Sequence, residues 1–282
     1  MDWKRRQEGV KVLDIKQRKE LVYLTFPILE KQTWLAHCFS TRMGGVSEGI
    51  YASMNFREDA EDKEENVREN YKRIAAVLGM DVQRFVRSQL VHGNQVHLVT
   101  EQDYGEGVVR PASLKGYDGL MTNQPGVTLV ATFADCVPLY FADPIHRAIA
   151  LSHSGWRGTV AQIGKETIQA MKDTFGTKPE QLLVGIGPCI CGDCYEVGEE
   201  VICEFQKEMD GWDFDGIIQK KENGKYQLDL QKANQKILLQ NGVLKEHLFA
   251  GDFCTCCNSK YLFSHRATQG RRGNLAAFLS II

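Results

Sequence analysis

The chain has 282 residues, of which 43% are hydrophobic and 25% are charged, an ordinary composition for a globular protein. Its 34 basic and 36 acidic side chains give a formal net charge of −2, so the composition excludes a strongly basic nucleic-acid-binding protein. The longest apolar run, residues 127–134, is far shorter than the roughly 20 residues of a membrane span, which excludes a transmembrane helix there.

The N-terminus and the cysteines bear on localisation. Basic residues near the N-terminus are not followed by the apolar stretch of a secretory signal. The nine cysteines are an odd number, which without an export signal favours reduced thiols over a disulfide framework. We therefore expect a cytoplasmic protein with neither a nucleic-acid partner nor a membrane partner.

In the first half of the chain, a dense charge run at residues 57–69 predicts an exposed loop that leads into a helix. The apolar residues Val67, Tyr71, Ile74 and Leu78 lie on one helical face and predict a helix over residues 66–78. Gly79 supplies a helix stop.

In the second half, apolar strand-like segments alternate with amphipathic helical segments. Strands are predicted at residues 126–141 (two strands or one bent strand), 147–152 and 181–186. Helices are predicted near residues 159–175 with Thr159 as N-cap, 196–209 and 230–240. Without a clear boundary, this alternation predicts a single domain of mixed α/β (α+β) class, with mixed β-sheets flanked by helices.

Three residues in this framework are candidates for chemistry. Cys136 follows an apolar strand, His153 ends a strand before the turn at residues 155–158, and His92 precedes Gly93. Taken singly, each also fits a structural role, as a core cysteine or as a capping or core histidine. Together they form a ligand set suited to zinc, with three protein ligands and one position open to water or substrate.

A second histidine, His97, lies five residues after His92. On a strand the two side chains would point to opposite faces, and on a helix they would lie roughly 140° apart. One of them should therefore be structural. We predict His92 as the ligand because Gly93 leaves its backbone open.

Several motifs carry a resemblance to a known family. They include Thr41-Arg42-Met43-Gly44-Gly45-Val46-Ser47, Tyr117-Asp118-Gly119-Leu120, Ala134-Asp135-Cys136, His153-Ser154-Gly155-Trp156-Arg157-Gly158, Tyr195-Glu196-Val197-Gly198 and Phe263-Ser264-His265-Arg266. On these residues the chain resembles the YfiH/YlmD family of polyphenol-oxidase or laccase-domain proteins. The resemblance runs from about residue 35 to the C-terminus, so we expect a catalytic domain at residues 35–282 and an N-terminal extension at residues 1–34 packed on it.

The resemblance implies a zinc ion held by His92, Cys136 and His153, with copper as the alternative metal. It also implies an enzyme acting on small purine nucleosides, by phosphorolysis of adenosine, inosine and methylthioadenosine and by deamination of adenosine. Zinc suits this chemistry because it lowers the pKa of bound water to about 7.

Phosphorolysis also requires groups that hold phosphate. Arg42, Arg157 and Arg266 are candidate anion-binding residues because a guanidinium binds phosphate through two donors, although each also fits a structural role. Asp118 and Asp135 are candidates for orienting ligands or moving protons, and structural turns are their alternative.

Competing hypotheses remain at this level. Cys136 and His153 could form a cysteine hydrolase, or the chain could bind metal without catalysis. A multicopper oxidase is disfavoured by the seven histidines and by the lack of a His-x-His pair. We interpret the cysteine clusters 189/191/194 and 254/256/257 as packing residues, with a structural zinc or an iron–sulfur centre as the alternative. The sequence leaves a homodimer open.

Overall fold

The computed structural model describes residues 2–57 and 61–282, so residues 58–60 of the charge run lie outside the described part. The described α-helices are α1 Pro27–Glu30, α2 Glu64–Leu78, α3 Trp156–Val160, α4 Ile163–Phe175, α5 Glu199–Glu208, α6 Leu230–Gln240 and α7 His265–Thr268. The described strands are β1 Asp14–Arg18, β2 Leu21–Thr25, β3 Leu35–Ser40, β4 Phe85–Arg87, β5 Val96–Leu98, β6 Gly119–Thr122, β7 Thr128–Phe133, β8 Val137–Asp143, β9 Ala148–Ser154, β10 Leu183–Ile186, β11 Glu196–Val197, β12 Ile218–Lys220, β13 Tyr226–Leu228, β14 Leu248–Ala250 and β15 Leu275–Ile281.

These strands form two six-stranded sheets and one small sheet. Sheet A has the strand order β1-β2-β3-β15-β7-β4, and sheet B has the order β14-β10-β8-β9-β6-β5. Each is mixed: β4 and β7 are parallel in sheet A, as are β5 with β6 and β10 with β14 in sheet B, whereas the other pairs are antiparallel. The small sheet β11-β13-β12 is antiparallel.

Sheets A and B pack face to face, and helices cover their outer faces. Side chains alternate along each strand, so β7 directs Leu129 and Phe133 toward sheet B but Val130 toward α2. In the same way β9 directs Ile149 toward sheet A but Ala150 toward the layer of α4, α5 and α6. The result is four layers, helix, sheet, sheet, helix. Both faces of the central strands are buried, which explains why they form continuous apolar runs.

The sequence-based fold class is confirmed: the protein is a single mixed α+β domain. The predicted helix at residues 66–78 is α2, and Gly79 ends it with a φ of 69° and an N–H that donates to Ala75. Residues 126–141 form two strands, β7 and the start of β8, which are joined by a connection containing Asp135.

Two helix predictions were wrong in detail. The segment 159–175 is two helices, because Gln162 adopts a left-handed φ of 56° between α3 and α4. Thr159 therefore lies inside α3 instead of capping a helix, and its Oγ1 donates to the Gly155 carbonyl. In the segment 196–209, the first two residues pair as strand β11 and the helix begins only at Glu199.

The first 34 residues contribute to sheet A. Strands β1 and β2 form an antiparallel pair, and β2 pairs with β3. Upstream of them, Arg5 forms an ion pair with Asp252, and Trp3 stacks on Tyr261 with ring centroids 4.7 Å apart. None of the described helices is long and apolar enough to cross a bilayer.

Candidate metal centre

His92, Cys136 and His153 reach one point from three segments. His92 lies in the loop between β4 and β5 with a left-handed φ of 60°, Cys136 follows β7, and His153 lies near the end of β9. The pairing of β8 with β9 sets Val137 opposite Ser154, which brings Cys136 beside His153. One ligand atom from each of the three residues lies within 4.8 Å of the other two.

Asp118 organises this centre. Its buried carboxylate accepts hydrogen bonds from the backbone N–H groups of Val91, His92 and Gly93 at 3.1, 3.0 and 2.8 Å. The same carboxylate lies 2.9 Å from Nδ1 of His153. This contact assigns the ring proton to Nδ1 and leaves Nε2 of His153 available for a metal.

The electrostatics of the centre favour a charged thiolate. Burial alone would raise the pKa of the Cys136 thiol, but the neighbouring His153 and His92 lower this pKa to about 6. Burial would lower the pKa of His153, but Cys136 and Asp118 outweigh it and raise this pKa to about 9. A thiolate is the form in which cysteine binds a metal or acts as a nucleophile.

Gly155 allows the three side chains to approach each other. A Cβ atom at this position would lie 2.9 Å from Nδ1 of His92 and 3.1 Å from Sγ of Cys136. Both distances are shorter than normal van der Waals contacts, so any other residue here would displace the side chain of His92 or Cys136. The Gly-rich turn after β9 is therefore part of the centre.

A cavity of about 350 Å³ opens beside the three side chains. Arg57, Arg87 and Arg272 line it. Nε of Arg87 donates to the Gly107 carbonyl at 2.9 Å, which anchors its guanidinium. The cavity thus places three arginines beside the candidate metal ligands His92, Cys136 and His153.

The arginines predicted from sequence lie elsewhere. Arg42 donates to the carbonyls of Ala52 and Ser259. Arg266 donates to the Glu196 carbonyl at 2.8 Å. Neither lines the 350 Å³ cavity, whereas Arg157 borders a smaller space of about 80 Å³ that is also lined by His92 and Cys136.

The remaining predicted residues have distinct places. Asp135 adopts a φ of 91°, and its carboxylate accepts hydrogen bonds from Thr255 Oγ1 at 2.6 Å and from the Arg266 N–H at 2.7 Å. His97 lies on β5 with Nε2 3.2 Å from an Asp103 carboxylate oxygen. Because His92 lies in a loop, the argument from opposite strand faces does not apply to this pair of histidines.

The fold and this centre define a mixed α+β protein, built on two six-stranded sheets, with a candidate His-Cys-His metal centre beside a cavity lined by arginines. Residues 36–282 match the sequence model of the family described as multi-copper polyphenol oxidoreductase laccase. Together with the relatives below, this match shows that the chain belongs to the YfiH/YlmD family.

Relatives agree with that assignment. Purine nucleoside phosphorylase YlmD of Bacillus subtilis (strain 168) is 34% identical over 244 residues, which cover 86% of this chain and 87% of the relative. Adenosine deaminase RL5 of an unknown prokaryotic organism is 31% identical over 81% of this chain and 87% of its own length. The crystal structure of Bacillus licheniformis hypothetical protein YfiH matches with a TM-score of 0.89 and 29% identity, covering 95% of this chain and 99% of that one.

Proposed function

We propose that the protein is a zinc-dependent purine nucleoside phosphorylase that acts on adenosine, inosine and methylthioadenosine and also deaminates adenosine. The observation that carries this proposal is the single cavity that contains His92, Cys136 and His153 together with three arginines. Relatives named purine nucleoside phosphorylase and adenosine deaminase support the same reaction types.

The donor set fits zinc. Two imidazole nitrogens and one thiolate are usual zinc ligands, with bonds of about 2.0–2.1 Å to nitrogen and about 2.3 Å to sulfur. Three ligand atoms mutually within 4.8 Å are close enough to converge on one such ion with small side-chain movements. When bound, zinc would act as a Lewis acid toward water or phosphate at its open position. Copper is the alternative metal for this mixed set.

The arginines give the cavity its anion-binding character. Phosphate is a polyanion whose oxygens match the forked donors of a guanidinium. Arg57, Arg87 and Arg272 line the cavity with the ligand group, so they are better placed than Arg42 or Arg266 to hold phosphate against the ribose carbon. We therefore transfer the phosphate-binding role to these three residues and keep Arg157 as a residue of the smaller space.

The two aspartates hold the centre in position. Asp118 fixes the His92 loop and the ring of His153, and it is not a lining residue of the cavity. Asp135 holds the backbone next to Cys136 through its contacts with Thr255 and Arg266. We assign both to positioning, so that the ligand atoms are already oriented before the metal and substrate bind.

Product analysis with and without phosphate tests the proposal. Purine base and ribose 1-phosphate should form only when phosphate is present, whereas inosine should form from adenosine without it. Base release that is independent of phosphate would contradict phosphorolysis. We expect the reaction in the cytoplasm, where the cysteines stay reduced.

A second candidate rests on the lowered pKa of Cys136. A thiolate beside a protonated His153 is also the arrangement of a cysteine hydrolase, in which Cys136 attacks the substrate. Such an enzyme needs no metal, so turnover by metal-free protein would favour it. Oxidation of a phenol by copper-loaded protein would instead favour the polyphenol oxidase of the family description.

A further inference from the structure

Two cysteine pairs with identical spacing lie at one edge of sheet B. Cys191 and Cys194 lie in the turn after β10, and Cys254 and Cys257 lie in the turn after β14. Because β10 and β14 are parallel neighbours, both turns leave the sheet at the same end. A further bridge between Cys189 and Cys254 continues the pairing beyond the strands. The fold therefore brings two C-x-x-C segments together.

The four sulfur atoms are close enough together to share a single tetrahedral ion. All four lie within 4.8 Å of one another, with Cys194 to Cys257 at 3.5 Å and Cys191 to Cys257 at 4.0 Å. A tetrahedron with zinc–sulfur bonds of about 2.3 Å has sulfur–sulfur edges of about 3.8 Å. All four cysteines are free thiols, and their separations far exceed the bond of about 2.05 Å in a disulfide.

Backbone N–H donors and a guanidinium lie beside these sulfurs. Sγ of Cys254 accepts hydrogen bonds from the backbone N–H groups of Cys191 at 3.2 Å and Cys257 at 3.4 Å. The guanidinium of Arg6 donates to the carbonyl and to Sγ of Cys189, beside the cluster. Four thiolates around a divalent ion carry a net charge of −2, which a neighbouring cation partly offsets.

A metal ion can reach the cluster from solvent. Cys191 lines an open cavity of about 670 Å³ that also contains Asp193 and Asp229, and Cys257 is exposed. The cavity carries none of the residues of the His92–Cys136–His153 centre. An entry path and a complete set of ligands are both features of a site that takes up an ion.

We propose that Cys191, Cys194, Cys254 and Cys257 bind one zinc ion in a closed structural site. The four thiolates fill the coordination of the ion, so this site leaves no position for substrate. An iron–sulfur cluster fits less well, because it distributes its four thiolates over several irons and holds their sulfurs further apart. The proposal does not depend on which reaction the protein catalyses.

The site would act on the catalytic centre through Asp135. The Ile190 N–H donates to the Asp135 carbonyl at 3.0 Å, and Thr255 Oγ1 donates to its carboxylate. Each of these partners is adjacent in sequence to a cysteine of the cluster, and Asp135 precedes Cys136. A zinc ion that joins the two turns would therefore fix the backbone that carries the Cys136 ligand.

Metal counting on protein purified under reducing, zinc-replete conditions tests the proposal. Elemental analysis should find two zinc ions per wild-type chain, one in the H92A/H153A variant and one in the C194S/C257S variant. C256S and C203S are matched controls, because Cys256 lies between two proposed ligands and Cys203 is an exposed cysteine on α5. Both controls should keep two zinc ions.

Zinc X-ray absorption of the H92A/H153A variant identifies the ligands directly. It should show four sulfur neighbours at about 2.3 Å and no nitrogen neighbours. This measurement decides the question even if C194S/C257S fails to fold. If C194S/C257S folds, we expect its Tm to be lower by about 10 °C, since structural zinc stabilises the turns it joins.

Three results would overturn the proposal. They are a wild-type chain with a single zinc that C194S/C257S retains, iron in place of zinc, and cysteine pairs already oxidised to disulfides by intact mass. A protein that binds two zinc ions but turns over no nucleoside would instead contradict the proposed function and leave this site intact.

Discussion

The His92–Cys136–His153 centre and the four-cysteine cluster contain the same kind of soft ligand but differ in coordination and access. The first offers two nitrogens and one sulfur beside a cavity lined by arginines, so an open position of the proposed zinc would face this cavity. The second offers four sulfurs from two turns at the end of sheet B. Three ligands beside a cavity are typical of catalytic zinc, and four without an open position are typical of structural zinc.

The two regions also differ in what holds their ligands. Asp118 receives hydrogen bonds from the His92 loop and from His153, so a carboxylate orients the first centre. Backbone N–H groups hold Cys254 in the second. Asp135 connects the regions because its partners lie beside the cysteines while its own neighbour is Cys136. We infer from this difference that the number of ligands and the presence of an adjacent cavity, more than the identity of the metal, distinguish the two proposed roles.

The largest effect should come from removing a catalytic ligand. H153A should lose one zinc and lower both reaction rates by at least about 10³-fold, because the metal supplies several kcal/mol of transition-state stabilisation. Zinc content and steady-state rates measure this. H247A, which changes a histidine whose Nδ1 lies 2.9 Å from the Glu180 carbonyl oxygen, should keep both. Full activity in metal-depleted H153A would contradict a catalytic role for the His92–Cys136–His153 centre.

A smaller effect, confined to one reaction, should follow from changing a cavity arginine. R87Q should lower phosphorolysis about 10- to 100-fold and raise the KM for phosphate, since a hydrogen bond to a charged group contributes about 1.5–3 kcal/mol. Deamination of adenosine should fall much less. R68Q alters an exposed arginine paired with Glu64 and is the control. Equal losses in both reactions would mean that Arg87 supports the fold and not phosphate.

Substitution of Gly155 tests how closely the side chains of the His92–Cys136–His153 centre are packed. The added methyl of G155A would press on His92 and Cys136, so we expect zinc affinity to fall by about 10-fold, at the lower end of the effects seen on changing residues that support metal ligands. Competition with a chelator measures the affinity. G164A is the control because its Cβ would meet Leu238 at an ordinary 3.4 Å. Unchanged affinity in G155A would show that the ligands have room to move.

The smallest effect is expected at His97. Its ring contacts Asp103 and lies outside the ligand group, so H97A should keep its zinc and both activities within about twofold, since substitutions outside such sites cost little. Loss of metal from folded H97A, measured by elemental analysis, would indicate that His97 is a metal ligand in place of His92.

Sequence patterns predicted the helices and strands that have a regular spacing of apolar residues within one segment. The spacing of Val67, Tyr71 and Ile74 located α2 because one face of that helix packs on sheet A. The helix predicted at residues 159–175 failed where Gln162 turns left-handed, since that break depends on how α3 and α4 pack and not on their apolar pattern. The three proposed metal ligands were selected through motifs, because separations of 44 and 17 residues carry no local signal.

The residues that sequence analysis missed are those that only the tertiary fold brings together. Arg57, Arg87 and Arg272 reach the cavity from three distant segments. The four-cysteine cluster did carry a sequence signal, namely two C-x-x-C spacings. Cys189 and Cys256 made these spacings hard to recognise, because they extend each pair to a group of three cysteines. The parallel pairing of β10 with β14 is what joins the two pairs, and a single sequence does not reveal which strands are neighbours.

Zinc titration of metal-free protein tests most directly the claim that one open centre serves both reactions. Buffered zinc would be added to chelator-treated protein while base release in phosphate and inosine formation without phosphate are followed. We predict that both rates start from zero and rise along the same curve as the His92–Cys136–His153 centre fills. Either rate persisting in the metal-free protein, or two curves with different midpoints, would contradict the shared centre.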